Sequence, residues 1–426
     1  MRRLCGVLAG VVLAAGSLVA VGVSSAGATS VSTEAEFHAA WIADSQIDLQ
    51  GDITIVDCSL RYERTTKAPV VLDGHGHTIT QTCPYRVLSL YPDNKSDVTL
   101  RQVTLTGGRE TSGQDGGAID MNRRFSDTSG GTLVVEDSTL TNNCARDVVG
   151  KPTSADAGAI ENEDGDTTII RSTISGNHAD KTVGAVRSKA GHLTIVNSTI
   201  TGNSAPLIGG IESGGRNNEI FAPSISIAYS TITQNAIDST PCSAPLNPFP
   251  CGTTVGIDCT SAPDASAAAD PDDDVIAQGG PAVANLVVAR FATSSVFGSV
   301  IAQPVGPSGV FNCGIDGLSP PPSAGYNFSD DASCGFTDGT DKQSGGDPGL
   351  GALASNGGPT QTRLPQSGSP LIDAILNAAC QTPPLATGIT TDQRGLARPE
   401  QSGGKCDIGA VEVQVVPIVV AIRFTG

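Results

Sequence analysis

The sequence predicts an all-β fold in which short parallel strands wind into a coil, a β-helical solenoid. The first observation is a phrase that recurs four times, at Thr132–Ala145, Thr167–Ala179, Leu193–Ala205 and Ser224–Ile237. The second is a shorter phrase, GGAI at Gly116–Ile119, which returns with small changes before each later copy. Phrases that recur in this way indicate a structure that repeats with the sequence.

Each repeat reads as about three short strands, because apolar and polar residues alternate, as Leu193, Thr194 and Ile195 do. Strands this short are stable only when each one pairs with its copy in the next coil, about 4.8 Å away. Ile200 should therefore point inward. The repeats also align polar residues, and we expect these to stack as structural ladders: Ser138, Ser172, Ser198 and Ser230, with Asn143, Asn177, Asn203 and Asn235.

Composition agrees with thin layers of aliphatic residues. The chain has 426 residues, of which 51 are Gly and 26 are Pro, and only 4% are aromatic. Its net charge of -18 argues against nucleic acid or anionic lipid as a partner, because both would be repelled.

The N-terminus is typical of a signal peptide over residues 1–28, with a membrane anchor as the alternative. Arg2 and Arg3 precede an apolar run from Leu4 to about Val23, and Ala26–Ala28 fits a cleavage site. The mature chain would be secreted and would begin at Thr29. No later apolar run is long enough to span a membrane, and residues 414–426 read as a short apolar tail.

Removal of Cys5 with the signal peptide leaves an even number of cysteines, which suggests disulfides in an exported protein. Counting does not fix the pairing. Zinc is a weaker alternative, because the chain has no CxxC motif. The candidates are Cys58 with Cys83, Cys313 with Cys334 and Cys380 with Cys406, each pair about one repeat apart, and also Cys242 and Cys251.

One helix is predicted, over Ser32–Ser45, where it would cover the first coil. Thr33 and Glu36 have the spacing of a capping box, and Phe37 and Trp41 lie on one apolar face. Downstream, His75 and His77 flank a glycine, which fits a tight turn or a weak acid–base pair.

Two resemblances concern the coil. The stretch VLDGHGHTIT at Val71–Thr80, after a capping helix, resembles the start of a right-handed parallel β-helix of the pectin-lyase-like type. GGAI, with patterns such as Ile174-x-x-Asn177, resembles the repeats of polymorphic outer membrane proteins, although Leu or Ile stands where that family has Phe. The second resemblance implies an adhesin-like role at a cell surface.

A third resemblance covers residues 346–413, which are similar to the bacterial choice-of-anchor Q module. The matching motifs include Asn356–Pro359, Asp392–Gly395 and Cys406–Gly409. The resemblance implies a disulfide-containing C-terminal cap that closes a β-helix over residues 29–345. Asp392 and Arg394 would then form a buried pair within this cap.

A long insertion interrupts the coil at residues 238–278. Its acidic run offers oxygen ligands for calcium, the one cofactor that the sequence suggests, with a solvated loop as the alternative. The calcium candidates are Asp270, Asp272, Asp273 and Asp274.

Two classes of function fit these features. The first, which the sequence favours, is a secreted or surface-associated binding protein that displays loops toward an extracellular polysaccharide, the cell envelope or a host surface. The second is a polysaccharide lyase or glycoside hydrolase. Enzyme candidates are Arg187, Lys189, Asp373, Asp392 and Arg394. Against an enzyme, the acids Asp115, Asp120, Asp156 and Asp164 are expected to be scattered over loops without forming a pair.

Overall fold

The computed structural model describes most of the chain between residues 27 and 414. The described residues are 27–64, 66, 68–90, 97–111, 115–121, 131–146, 155–163, 165–214, 223–240, 283–288, 292–315, 322–381, 383, 385, 388–401 and 403–414. The expected signal peptide up to residue 26, the insertion from residue 241 onward and the apolar tail from residue 415 lie outside them.

Two long parallel sheets run along the coil within the described residues. Sheet A consists, in spatial order, of Thr29–Val31, Gln46–Leu49, Val70–Asp73, Val98–Arg101, Thr132–Glu136, Asp166–Ile170, His192–Val196, Ser224–Ala228 and Thr293–Phe297. Sheet B consists of Ile53–Ile55, Thr78–Gln81, Thr104–Thr106, Thr139–Thr141, Thr173–Ser175, Thr199–Thr201, Thr231–Thr233 and Val300–Ala302.

Two further parallel sheets complete the coil in the described part of the chain. Sheet C, which contains the GGAI phrases, consists of Glu63–Arg64, Leu88–Leu90, Ile119–Met121, Ile160–Asn162, Val186–Ser188, Ile211–Ser213, Val283–Val288 and Phe311–Ile315. Sheet D consists of the two-residue strands Arg109–Glu110, Cys144–Ala145, His178–Ala179, Ser204–Ala205 and Ala236–Ile237.

Each strand pairs with its copy one coil away, so the chain forms a right-handed parallel β-helix, and the predicted fold class is confirmed. The expectation of three strands per repeat was incomplete, because sheet D adds a fourth to several coils. Two-residue strands such as His178–Ala179 are too short to show an alternating pattern in the sequence.

The interior is a stack of aliphatic ladders. Ile200 pairs in register with Ile174 on one side and Ile232 on the other, and all three are fully buried. Thr194 lies on the outward side of sheet A and is half-buried. Burial of one such isoleucine stabilises the fold by roughly 1.5–3 kcal/mol.

The Ser and Asn columns form ladders at the bends. Ser172 N donates to Ser198 Oγ at 3.2 Å, and Asn177 Nδ2 donates to Asn203 Oδ1 at 2.9 Å. The same contacts join the other members of each column: Ser138 to Ser172, Ser198 to Ser230, Asn143 to Asn177 and Asn203 to Asn235. The side chains thus satisfy polar groups where the chain turns inside the coil.

The helix spans Glu34–Ala43 and covers the first coil. Its Thr33 cap accepts from Glu36 N, and the Glu36 carboxylate accepts from Thr33 N in return, which completes the predicted capping box. Trp41 is buried and donates from Nε1 to Tyr62 O at 3.0 Å. No described helix has the length and apolar character needed to cross a membrane.

Three disulfides join described cysteines. They are Cys58–Cys83, Cys313–Cys334 and Cys380–Cys406, and Cys144 is also disulfide-bonded. Cys242 and Cys251 lie outside the described residues. Disulfides of this kind indicate an oxidising environment.

The C-terminal segment from residue 346 packs along the flank of the coil, against the outward side of sheet B. It contains the antiparallel pair Leu350–Ala354 and Thr362–Pro365 and the short helix Asn377–Gln381. An apolar cluster lies between this segment and the coil; its buried members include Tyr229, Phe297, Leu371, Ile375 and Ile408. The resemblance implied closure of the coil's end, but the contacts of this segment run along the side.

Candidate functional site

The outward face of sheet C carries a column of polar and charged side chains. In register, the column runs through Glu63, Ser89, Asp120, Glu161, Arg187 and Glu212. We call these six residues the charged column. From Ser89 onward, each is at most 6% exposed. Charges buried to this extent are stable only with partners of opposite sign.

Arg187 is the centre of one set of ion pairs. Its Nη1 lies 2.6 Å from Asp156 Oδ2, and its Nε lies 2.8 Å from Glu212 Oε2. Thr182 Oγ1 donates to the other Asp156 oxygen at 2.7 Å. Burial alone would raise the pKa of Asp156, but Arg187 and Lys189 hold that pKa below its usual value.

Lys189 lies two residues after Arg187 and extends into a group of carboxylates. Its Nζ is 3.4 Å from Glu163 Oε1, 3.5 Å from Glu161 Oε1 and 4.0 Å from Asp156 Oδ2. Burial and Arg187 would lower the pKa of Lys189, but the surrounding carboxylates, Glu161 foremost, raise it above its usual value. Lys189 is therefore a buried ammonium ion.

Two acids of this group bind protons more tightly than usual. Burial raises the pKa of Glu161 well above its ordinary value, and neither of its oxygens accepts a hydrogen bond from a described residue. Burial, and then the neighbouring Asp156, raise the pKa of Asp115 to about 6. Asp156 N donates to Asp115 Oδ1 at 3.1 Å, which brings the two acids together.

The same acids are arranged as cation ligands would be. Carboxylate oxygens of Asp115, Glu161 and Glu163 lie within 4.8 Å of one another. The Lys189 ammonium, within 3.5 Å of two of these carboxylates, already provides positive charge at this place. The calcium candidates Asp270, Asp272, Asp273 and Asp274 lie outside the described residues.

The charged column opens toward solvent at its N-terminal end. Arg86 Nε lies 3.2 Å from Glu110 Oε2, and Arg86 also pairs with Asp120. Beside this pair is a cavity of about 50 Å³ whose walls include Tyr85 and Ser89. This space holds little more than one or two waters.

The expectation that the acids are scattered over loops was wrong for Asp115, Asp120 and Asp156, and Asp164 lies outside the described residues. Asp120 lies on a strand of sheet C and pairs with Arg86. The loops before successive GGAI-type phrases place Asp115 and Asp156 beside the outward face of sheet C, where they meet Arg187 and Lys189. Arg187 is 1% exposed and Lys189 is 4% exposed, so neither base is open to a polymer from outside. In this arrangement the charges stabilise one another.

The other enzyme candidates lie in the C-terminal segment. Arg394 Nη2 is 2.7 Å from Asp392 Oδ2, and Asp392 also accepts from Leu396 N and Glu412 N. Asp373 uses its backbone N–H to donate to Asp407 Oδ1 at 2.7 Å. This network lies on the sheet B side of the coil, away from the charged column, and holds turns of the segment together.

Sequence reasoning missed a further polar group in sheet D. Ser204 Oγ lies 2.8 Å from His178 Nδ1, and His178 Nε2 lies 3.3 Å from Asp180 Oδ1. The signal was available, because His178 and Ser204 occupy the same repeat position. His178 is 5% exposed, so this polar group is a buried part of sheet D.

Comparison with known proteins adds no relative: no family model, curated protein or solved structure matches the chain.

Proposed function

We propose that the protein is a secreted or surface-associated β-helical scaffold that binds an extracellular polysaccharide or a component of the cell envelope or host surface, without cleaving it. The observation that carries this proposal is the burial of Arg187 and Lys189, both neutralised by carboxylates. A lyase needs a base that reaches its substrate.

Several features support the location and role. The basic start and apolar run of residues 1–28 fit an exported chain, and the disulfides fit an oxidising compartment. The likeness of the repeats to polymorphic outer membrane proteins, and of residues 346–413 to the choice-of-anchor Q module, favours a surface role. The net charge of -18 disfavours nucleic acid.

A glycan-cleaving enzyme of the pectin-lyase-like type is the second candidate. Asp115 and Glu161 favour it, because burial raises the pKa of both and a protonated carboxyl is what a general acid requires. Against it, Asp115 is 3% exposed and Glu161 is fully buried.

The test incubates the purified mature protein with polyuronates and neutral glycans, with and without calcium. Retention on a glycan or an envelope fraction without new reducing or unsaturated ends is the expected result. New ends that disappear in Glu161→Gln, while thermal unfolding is unchanged, would overturn the proposal in favour of an enzyme.

A further inference from the structure

The outward face of sheet B carries two columns of hydroxyl side chains along the coil. Each strand from the second to the seventh has the pattern Thr-x-Thr or Thr-x-Ser, and the middle residue points inward. One column contains Thr78, Thr104, Thr139, Thr173, Thr199 and Thr231. The other contains Thr54, Thr80, Thr106, Thr141, Ser175, Thr201 and Thr233.

The C-terminal segment covers the later half of these columns and binds their hydroxyls. Thr173 Oγ1 donates to Gln361 O at 2.6 Å, and Thr231 Oγ1 accepts from Ala410 N at 3.0 Å. Arg363 Nη1 donates to Thr233 Oγ1 at 2.9 Å. The array therefore binds a partner through hydroxyls that act both as donors and as acceptors.

The earlier half of the same array is uncovered. Each of its threonines is half-buried or exposed, whereas the covered ones are fully buried. With the exception of Thr141, which accepts from Ser175, their hydroxyls make no hydrogen bond to a described residue. The uncovered hydroxyls are those of Thr54, Thr78, Thr80, Thr104, Thr106 and Thr139.

The uncovered half is neutral, although the chain as a whole is acidic. Among the described residues, no charged side chain stands between its two columns. On its rim, Glu136 is paired with two arginines, whereas the exposed Asp52 contacts only His77 and Thr78 in the described part of the chain. Arg171 Nη2 lies 2.7 Å from Glu136 Oε1, and Arg101 Nε lies 3.1 Å from the other Glu136 oxygen. A neutral ligand fits this surface better than an anionic one.

A step bounds the uncovered half. Thr360 Oγ1 donates to Arg171 O at 3.0 Å, so the edge of the C-terminal segment rises from the face next to Thr173. This step leaves room on the face for a narrow polymer chain. It would block contact with a wide, flat surface such as that of an ice crystal. Rows about 4.8 Å apart also favour a ligand that repeats along its length.

From these observations we infer that the uncovered half, Thr54, Thr78, Thr80, Thr104, Thr106 and Thr139, is a binding face for a neutral, hydroxyl-rich polysaccharide chain. This inference rests on the proposed function and names its ligand class and its surface. The hydroxyls of the polymer take the place that backbone and side-chain groups of the C-terminal segment take on the covered half.

The experiment compares two triple variants of the mature protein. Thr104→Val/Thr106→Val/Thr139→Val removes three hydroxyls from the face and preserves side-chain shape and strand propensity. Thr99→Val/Thr168→Val/Thr194→Val makes the same change on the outward side of sheet A and is the matched control. Both are tested for retention on insoluble β-1,4-glucan, chitin and polygalacturonate, and both are checked by thermal unfolding.

We expect wild type and the sheet A variant to bind a neutral glycan equally, and the sheet B variant to bind it about ten-fold more weakly. Equal retention of all three proteins would show that the uncovered threonines are not the binding face, and it would leave the proposed function intact. Retention on polygalacturonate alone would contradict a neutral ligand, because that polymer is anionic. Shaping of ice crystals that is lost in the sheet B variant would identify ordered water as the ligand instead. No retention of wild type on any glycan or envelope fraction would count against the proposed function itself.

Discussion

Gln393 of the C-terminal segment accepts a hydrogen bond from the Thr199 hydroxyl at 2.6 Å, although 194 residues separate them in the chain. The Gln393 amide group donates back to Thr173 Oγ1 at 3.0 Å and to Thr360 Oγ1 at 2.9 Å. One fully buried amide therefore joins two adjacent coils to the segment that covers them.

Gln393→Ala should loosen the segment, because it leaves the Thr199 hydroxyl buried without a partner and removes one of the two partners of the Thr173 hydroxyl, at a cost of about 2 kcal/mol. Limited proteolysis should then cleave residues 346–414 faster, while the coil stays intact. Gln361→Ala is the control, since that side chain is exposed and only its carbonyl is used. Equal cleavage of both variants would contradict this account of docking.

The inward ladder gives a second prediction. Ile200→Asp places an unpaired carboxylate between Ile174 and Ile232 and should lower the free energy of unfolding by several kcal/mol. Thr194→Asp, on the outward side of sheet A, should change it by less than about 1 kcal/mol. Urea unfolding of both variants measures this, and similar midpoints would show that the register is not the one described.

How much the sequence predicts depends on whether a residue recurs. The inward position of Ile200 and the stacking of Asn203 could be predicted because every coil repeats these positions. Period-2 alternation also shows which strand residues point inward. The docking of Gln393 could not be predicted, because it occurs once and its partners are distant in sequence. The ion pair between Asp156 and Arg187 was also missed. Asp156 lies in the loop before one strand of sheet C, and Arg187 lies on the strand of the next coil.

The buried charges give a third prediction. Lys189→Met removes the ammonium from among Glu161, Glu163 and Asp156 and should destabilise the fold by roughly 3–5 kcal/mol, because carboxylates are left buried without it. Glu161→Gln should cost less than Lys189→Met, since burial already disfavours the charge of Glu161 and neither of its oxygens accepts a hydrogen bond from a described residue. A double-mutant cycle by chemical denaturation tests this. A larger loss for Glu161→Gln than for Lys189→Met would refute the assignment.

A fourth prediction concerns export and disulfides. The secreted protein should begin at Thr29 and show no labelling by a thiol-alkylating reagent before reduction. The described part of the chain already accounts for seven disulfide-bonded cysteines: Cys58, Cys83, Cys144, Cys313, Cys334, Cys380 and Cys406. Intact-mass analysis before and after reduction checks both points. Extensive labelling of the unreduced protein would contradict the disulfide assignment, and a retained leader would contradict the cleavage site.

The last prediction is a pH dependence centred on the C-terminal segment. Burial raises the pKa of Glu412 from its usual 4.5 to about 7, against the opposing effect of Arg398, which lies 3.4 Å away. A carboxyl with a raised pKa in the folded state stabilises the fold fully below the unfolded value of 4.5, and this stabilisation is lost as pH rises through about 7. Glu412 should therefore make the segment less stable at pH 8 than at pH 5.

Glu412→Gln keeps a neutral acceptor for Asp407 N, which donates to Glu412 Oε2 at 2.9 Å, and should flatten the loss of stability between pH 5 and pH 8. Asp52→Asn, at a side chain that is 71% exposed, should leave the wild-type slope unchanged. The measurement is thermal unfolding at intervals across this pH range, with proteolysis of residues 346–414 as a local readout. A slope that stays the same in Glu412→Gln would assign the pH dependence to other buried acids, of which Asp115 is the first to examine, because its pKa is raised to about 6.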